Sequence, residues 1–391
     1  MSSAGFPPVP AHCVVTGSSG FVGQRLVEML LERGAERIVA LDIVEKPSDA
    51  VQSARVEYVR GSITDMAVVE RCVTGADCVW HNAAAVGPYH PLQLYEDVNH
   101  VGTLNVIAAC RRQLVRKCVM SSSPSTRFTG ADIEGLREDE LPSLPLASYL
   151  QEYAASKARG EMAMRAASCD DFLTVAVAPH QVYGPRDNLF LPNILEACGT
   201  GRWRVFGSGR NNICFTHVDN YCHGLIIAER ALSKGGRACG QFYIVTDGDT
   251  HPHAEGYANF YDCIHEAALA MGFDDFKQKA ALPLWLLWPA AYVSLFITWL
   301  TGIRLKLTPF TVLMLTMHRW FSISNAERDL HYKPIVSFKS EWPKTLVWFR
   351  ENWLPVFRRD QARSKGAVAG LAKQTQDKID IQAGKAAKKT D

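Results

Sequence analysis

The chain is 391 residues long and carries 42 Lys and Arg against 40 Asp and Glu, a formal net charge of +2. That balance excludes the basic footprint of a nucleic-acid binder and gives no sign of a strongly acidic partner. The 11 cysteines form no C-x-x-C pair and show no metal-ligand spacing with histidine, so no metal centre and no disulfide framework are expected and the thiols read as reduced. The length allows a substantial core divided between two domains. Residues 1–12 have neither a basic stretch nor a long apolar run, so no signal peptide is expected there.

Val14-Val15-Thr16 is a β-branched run that stops at Gly17-Ser18-Ser19-Gly20. An amphipathic helix begins at once, with Phe21, Val22, Leu26, Met29 and Leu30 on one face. Gly17 suits a tight turn, Gly20 lets backbone N–H groups approach a pyrophosphate at the helix N-terminus, and Gly23 lets the helix pack close to the sheet. The spacing is G-x-x-G-x-x-G rather than the commoner G-x-G-x-x-G. Residues 38–42 read as the next strand and end in Asp42, 19 residues after Gly23, where a carboxylate can hold an adenosine ribose. A third strand covers 56–60, and Thr64 or Asp65 caps the helix behind it. A fourth, 77–81, opens into Asn82-Ala83-Ala84-Ala85, whose small side chains either let backbone lie flat on an adenine or ribose or simply pack a strand end. A long helix is expected over about 97–113. A fifth strand at 118–120 opens into Ser121-Ser122-Ser123, and a polar, Pro-rich loop follows to 146. Then come a helix holding Tyr153 and Lys157 and a sixth strand over 172–179. This alternation predicts an α/β fold, a doubly wound parallel sheet of the Rossmann type. Beyond Tyr183-Gly184-Pro185 the pattern loosens into a lobe expected to cover the substrate, with a late strand at 242–245. No internal repeat is present.

Tyr153 and Lys157 stand four apart, on one face of a helix. A neighbouring cation favours phenolate, so the Tyr153 pKa is expected to fall toward working pH. Such a tyrosine can take the proton of a secondary alcohol as hydride leaves for a nicotinamide, and a serine hydroxyl at the end of the fifth strand would polarise the same oxygen. Asn99 could hold a water linking Lys157 to solvent, or could be an exposed residue with no role.

Together these residues resemble an extended short-chain dehydrogenase/reductase. The likeness is carried by Thr16-Gly17-x-x-Gly20-x-x-Gly23, Asp42, His81-Asn82-Ala83-Ala84, Asn99-x-x-Gly102-Thr103-x-Asn105, the triple serine, Tyr153-x-x-Ser156-Lys157, Pro179-x-x-Val182-Tyr183-Gly184-Pro185 and residues 215–220. It implies Tyr153 as base, Lys157 as its activator, Ser123 or Ser122 as oxyanion donor, and Asn99 as relay. It implies NAD as cofactor, held by Gly17, Ser19, Gly20, Phe21, Gly23, Asp42, Ala83, Ala84, Tyr153, Lys157 and Val182. Two positions depart from the family pattern: Ser62 replaces an Asp and Ala178 replaces a frequent Arg. Within the superfamily the chain is most similar to 3β-hydroxysteroid dehydrogenases, including the decarboxylating sterol-4α-carboxylate 3-dehydrogenases, through residues 240–245, 321–328 and 332–334. That resemblance implies oxidation of a sterol 3β-hydroxyl, with loss of CO2 where a 4α-carboxylate is present. A 3β-hydroxy-Δ5-steroid dehydrogenase/isomerase, a nucleotide-sugar epimerase or dehydratase, and a non-catalytic NAD-binding protein are the alternatives.

Residues 280–303 are uncharged and rich in Leu, Trp and Phe. Pro283 and Pro289 are expected to kink or break a helix there. The run, with 310–317, is expected to dip into one leaflet of a membrane and return, leaving the enzyme on the cytosolic side. The expected division is a NAD-binding domain over 10–185 with returning strands in 213–246, a substrate lobe over 186–279 and 304–356, the apolar segment, and a disordered polar tail over 357–391. Lys388-Lys389 near the end resembles a dilysine retrieval signal, which points to the endoplasmic reticulum membrane. The expected partners are therefore a sterol and a membrane surface, with no nucleic acid, and a second copy of the chain stands as a candidate.

Overall fold

The computed structural model describes residues 6–87, 90–301 and 305–363. Strands β1 (His12–Thr16), β2 (Arg37–Asp42), β3 (Val56–Arg60), β4 (Cys78–His81) and β5 (Lys117–Ser121) alternate with helices α1 (Phe21–Glu32), α2 (Met66–Val73), α3 (Leu92–Tyr95) and α4 (Gly102–Arg112). After β6 (Ile133–Leu136), α5 (Glu152–Ala166) leads into β7 (Leu173–Pro179) and β8 (Val182–Tyr183). The rest of the chain runs α6 (Leu191–Gly199), β9 (Asn212–Ile213), β10 (Thr216–His217), α7 (Val218–Ala231), β11 (Phe242–Val245), β12 (Ala258–Asn259) and α8 (Phe260–Ala270). Last come α9 (Leu284–Thr301), α10 (Pro309–Met314), β13 (Arg319–Phe321), α11 (Ser324–Leu330), α12 (Phe338–Trp348) and α13 (Leu354–Arg363).

Seven parallel strands form the central sheet in the order β11-β7-β5-β4-β1-β2-β3. Val14 is in register with Val39 on one side and Val79 on the other. The chain direction across the sheet reverses beside β1, and a crevice opens there at the carboxyl ends of the strands. Leu26, Met29 and Leu30 of α1 share one core with Tyr221 and Leu225 of α7. Val69 of α2, Val106 and Ile107 of α4 and Met164 of α5 fill the core on the other face. Both faces are covered, which is why the strands read as continuous apolar runs.

Three features depart from the sequence reading. The helix expected over 97–113 is interrupted: α3 passes through a π-helical turn, Glu96–Val101, before α4. A second sheet, β12-β9-β13-β6, is built from strands of two to four residues drawn from distant parts of the chain. Here β13 pairs in parallel with β6, Arg319 against Ile133, and with β9. An aromatic core holding Phe215, Phe260, Trp342 and Phe349 lies beneath the loosely patterned part of the sequence. Third, α13 continues through Arg363, past the expected start of the polar tail at 357, because Phe357 is buried against Trp353 and Phe273. The remainder of that tail, with Lys388 and Lys389, lies outside the described residues. All 11 cysteines are free thiols.

Neither proline breaks the apolar helix. Pro283 precedes the first residue of α9, where a missing N–H costs nothing, and Pro289 sits inside an unbroken helix of 18 residues. Only Leu287 and Ala291 of α9 are buried, packed with Val312 of α10 and with Phe206, Leu282 and Leu307. Residues 310–317 are half-buried or buried, so α10 is the bracket that holds α9 and not a second exposed apolar segment.

Candidate active site

The glycine turn is shaped by two close approaches. Gly17 has φ +70°, and a Cβ there would sit 2.8 Å from the backbone of Ala83. A Cβ on Gly23 would fall 2.0 Å from the Gly17 carbonyl oxygen, so α1 can start against its own turn only with glycine at that position. Gly20 meets almost nothing and faces open space at the N-terminus of α1. Asp42, at the end of β2, accepts the Ser19 N–H at 2.9 Å and the Val44 N–H at 3.1 Å. Burial pushes its pKa up and these amides pull it back. Arg60, its partner in register on β3, is turned to Glu45 at 3.0 Å. Ala83 donates its N–H to Thr16 Oγ1 at 3.1 Å, which keeps the end of β4 beside the turn. The groups present suit a dinucleotide: a Cβ-free cradle, a helix N-terminus and a carboxylate. Ser62 gives its hydroxyl to the turn before α2, 2.7 Å from Thr64 Oγ1, and has no carboxylate to offer an adenosine.

Tyr153 stands in the first turn of α5 and Lys157 one turn on. Lys157 is buried and donates to the Ser121 carbonyl at 2.8 Å. Burial holds its pKa down to about 8, opposed by the charge of Glu161. The Tyr153 pKa does not fall as expected. Burial pushes it up to about 12, a hydrogen bond with Ser123 pulls it back, and Tyr95 adds to the rise. Desolvation therefore decides the direction of the shift.

The three serines at the end of β5 diverge. Ser121 Oγ lies 2.7 Å from Tyr221 Oη. Ser122 points inward and donates to Glu161 at 2.7 Å. Ser123 faces Tyr153 and caps the turn Pro124–Arg127. Of the two candidate oxyanion donors, Ser123 is the one placed on the phenol.

Asn99 is buried in the π-helical turn, and its side chain is already engaged. Oδ1 accepts the Ala85 N–H at 2.8 Å, and Nδ2 donates to the Ala85 carbonyl at 3.1 Å and to Ser156 Oγ at 3.0 Å. It ties the end of β4 to α5 and does not reach Lys157 through any of the three bonds. Val182, in β8, lies beyond Pro179 at the same edge of the sheet, where β8 pairs with β10.

Two functional features escaped the sequence. Arg127 and Glu161 form a buried ion pair with bonds of 2.5 and 3.0 Å, and the Arg127 guanidinium lies 3.6 Å from the centre of the Phe242 ring. This pair fixes Ser122 and thereby the direction in which Ser123 leaves β5. Its signal was available, since Glu161 follows Tyr153 and Lys157 at four-residue steps on one helical face. Gly160 is the other: a Cβ there would lie 2.2 Å from the Asn99 carbonyl, so α5 can approach the π-turn only through glycine. Ala178 packs with Phe128, Cys214 and Phe321, an apolar cluster with no space for an arginine.

Above Tyr153 lies a cavity of about 330 Å³, bounded by Tyr95, Leu92, Gln151, Leu295, Thr298 and Leu305 among others. Among the described residues, no Lys or Arg lines it.

The doubly wound sheet, the glycine turn and a Ser-Tyr-Lys set at the strand ends define a Rossmann-fold oxidoreductase of the short-chain dehydrogenase type. The sequence model of the 3-beta hydroxysteroid dehydrogenase/isomerase family matches residues 14–275, and the chain belongs to that family. It is 32% identical over 358 residues to the 3beta-hydroxysteroid-dehydrogenase/decarboxylase isoform 1 of Arabidopsis thaliana, covering 86% of this chain and 79% of that protein. It is 32% identical over 333 residues to the 2-alkyl-3-oxoalkanoate reductase of Stenotrophomonas maltophilia, with 83% and 96% covered. The human sterol-4-alpha-carboxylate 3-dehydrogenase, decarboxylating, is 29% identical over 347 residues, with 87% and 88% covered. Among solved structures, a dTDP-glucose 4,6-dehydratase from Streptomyces venezuelae superposes with a TM-score of 0.66 at 21% identity, over 88% of this chain and 99% of that one. The chain is thus an NAD-dependent oxidoreductase of the 3β-hydroxysteroid dehydrogenase type.

Proposed function

We propose that this enzyme oxidises the 3β-hydroxyl of a sterol bearing a 4α-carboxylate, and that the product loses CO2. The observation that carries this reading is the cavity over Tyr153, where Leu92, Tyr95, Leu295 and Leu305 stand beside the polar His90, Gln151, Glu152, Thr298 and Thr308 and where, among the described residues, no Lys or Arg is present to meet a sugar diphosphate. The names of the relatives agree on one chemical unit, an oxygen function one carbon away from a carboxylate-bearing carbon. That unit favours a carboxysterol over a Δ5-steroid.

Tyr153 Oη takes the hydroxyl proton while Ser123 Oγ donates to the same substrate oxygen. A bound NAD would supply the acceptor for the hydride that leaves C3. The Lys157 ammonium sits one helical turn behind the phenol, where a cation favours the ionised form. The product is a β-keto acid, in which the C4–carboxylate bond breaks with its electrons passing to the ketone, so no further residue is required for CO2 release. Asn99 acts as a positioning residue for the end of β4 and for Ser156.

The reading extends to location: the enzyme works at a membrane face, on the cytosolic side of the endoplasmic reticulum, and the surface of α9 supports the membrane part of it. The 18 residues of α9 have a mean hydropathy of 1.5, and most of their surface lies outside the protein core. They span about 27 Å at 1.5 Å per residue. A full crossing would separate β13 from β6 and β9, with which it pairs, so α9 enters one leaflet and stays on the side of the body.

The test is incubation of purified protein and NAD with a 4α-carboxy-3β-hydroxysterol, a Δ5-3β-hydroxysteroid or UDP-galactose, following NADH, ketone and CO2. Ketone and CO2 formed together from the carboxysterol is the expected result. Turnover of the sugar nucleotide alone would overturn the reading. Protease protection of a C-terminal tag on sealed microsomes would overturn the topology.

A further inference from the structure

The wall of the cavity opposite Tyr153 is α9 itself, through Leu295 and Thr298, continued by Leu305 and Thr308. The outward side of the same helical stretch carries Tyr292, Phe296, Trp299 and Leu300, exposed by 61%, 59%, 78% and 67%. One stretch thus bounds the reaction chamber on one side and the most apolar surface of the protein on the other. Its attachment is uneven. Both buried residues, Leu287 and Ala291, lie in its first half, and residues 292–301 include none. The first half is seated on Val312, whereas the second half is held through Thr298 Oγ1, which accepts the Leu305 N–H at 3.4 Å, and is the part of α9 able to act as a flap. About 330 Å³ is at the small end of the ~300–1,000 Å³ usual for ligand pockets, and displacement of this wall would enlarge it.

At the foot of α9, Arg204 and Lys279 both donate to the Gly201 carbonyl, at 2.8 and 3.3 Å. Among the described residues neither has a carboxylate partner. Lys306 is exposed just past the other end. Trp285 and Trp299, near the two ends, are exposed by 76% and 78%. Cations and tryptophans at both ends match a helix lying in the plane of an anionic headgroup layer with its outer side among acyl chains.

We propose that the sterol passes directly from the lipid phase to Tyr153 through the α9 flap, with the headgroup layer seated on Arg204 and Lys279, and never crosses bulk water. This rests on the sterol reading above. The test binds the enzyme to phosphatidylcholine vesicles containing a fraction of phosphatidylserine. The carboxysterol is supplied either in those same vesicles or, at the same mole fraction, in a separate vesicle population. Direct passage predicts an initial rate at least tenfold higher in the shared vesicles and a lag in the separate ones. Thr298→Trp, which fills the passage, should raise the KM for sterol at least tenfold while NADH binding, melting temperature and vesicle binding stay unchanged. Equal rates in the two arrangements, or an unaltered KM in Thr298→Trp, would overturn the proposal. Absence of turnover by the unmodified enzyme in both arrangements would instead remove the sterol reading.

Discussion

Lys157 is held as a cation at a cost, and that cost can be measured. Its pKa in the folded chain is about 8, against 10.5 for an unburied ammonium, and burial is the dominant cause. The folded state therefore binds fewer protons than the unfolded state between these values. The penalty on folding is complete below pH 8 and vanishes above 10.5. Integrated over the titration, it comes to about 3 kcal/mol at pH 7 and about 1 kcal/mol at pH 9.5. Lys157→Met removes the penalty and also the bond to the Ser121 carbonyl, a loss that does not depend on pH in this range. Urea unfolding of both proteins without NAD, at pH 7 and pH 9.5, separates the two effects. The stability of the variant relative to the parent should be about 2 kcal/mol more favourable at pH 7 than at pH 9.5. A relative stability that is the same at both values, or that shifts the other way, would refute the reasoning. The variant should also have lost most of its turnover, so the same substitution would separate stability from catalysis.

Tyr153→Phe should lower kcat by roughly 10²-fold or more, as expected for loss of a general base, with NADH binding by fluorescence near normal; undiminished turnover would move the chemistry elsewhere. The parent enzyme should prefer NAD to NADP, because Asp42 repels a 2′-phosphate and Arg60 is committed to Glu45. Asp42→Ala should narrow that preference, and equal catalytic efficiency of the parent with both cofactors would contradict it. Glu161→Ala strands the Arg127 guanidinium in a dry core and should cost about 3–5 kcal/mol, read as a lowered melting temperature in calorimetry; an unchanged melting temperature would show that the pair contributes nothing.

What the sequence disclosed is what local chemistry dictates. The run from Val14 to Gly23 encodes a strand, a turn and a helix start within ten residues, and Asp42 follows from the length of one β-α-β unit. Tyr153 and Lys157 were found by one-turn spacing. The second sheet was hidden because β6, β9, β12 and β13 are too short to show a period, and β6 meets its partner 186 positions later, Ile133 against Arg319. The Arg127–Glu161 pair does not stand out in the sequence because isolated charges usually read as solvated. The direction of the Tyr153 pKa shift is not legible, because a linear sequence shows which cation is near but not how much water has been removed. Asn99 was recognised as a member of a pattern, yet its three bonds to Ala85 and Ser156 depend on a π-turn that no spacing announces.

The pairing of β13 with β6 also sets an order of events during synthesis. The ribosome releases β6 early, as the outer strand of a sheet whose neighbour does not yet exist. Before that neighbour emerges, the whole of α9 has been translated, and so has its bracket α10. For that interval the most apolar helix of the protein is outside the tunnel while the lobe meant to hold it is incomplete. Its first available partner is whatever surface lies beside the ribosome. In chain order, then, α9 and its bracket are complete before the strand that closes the second sheet, so the lobe is finished around a helix already in place.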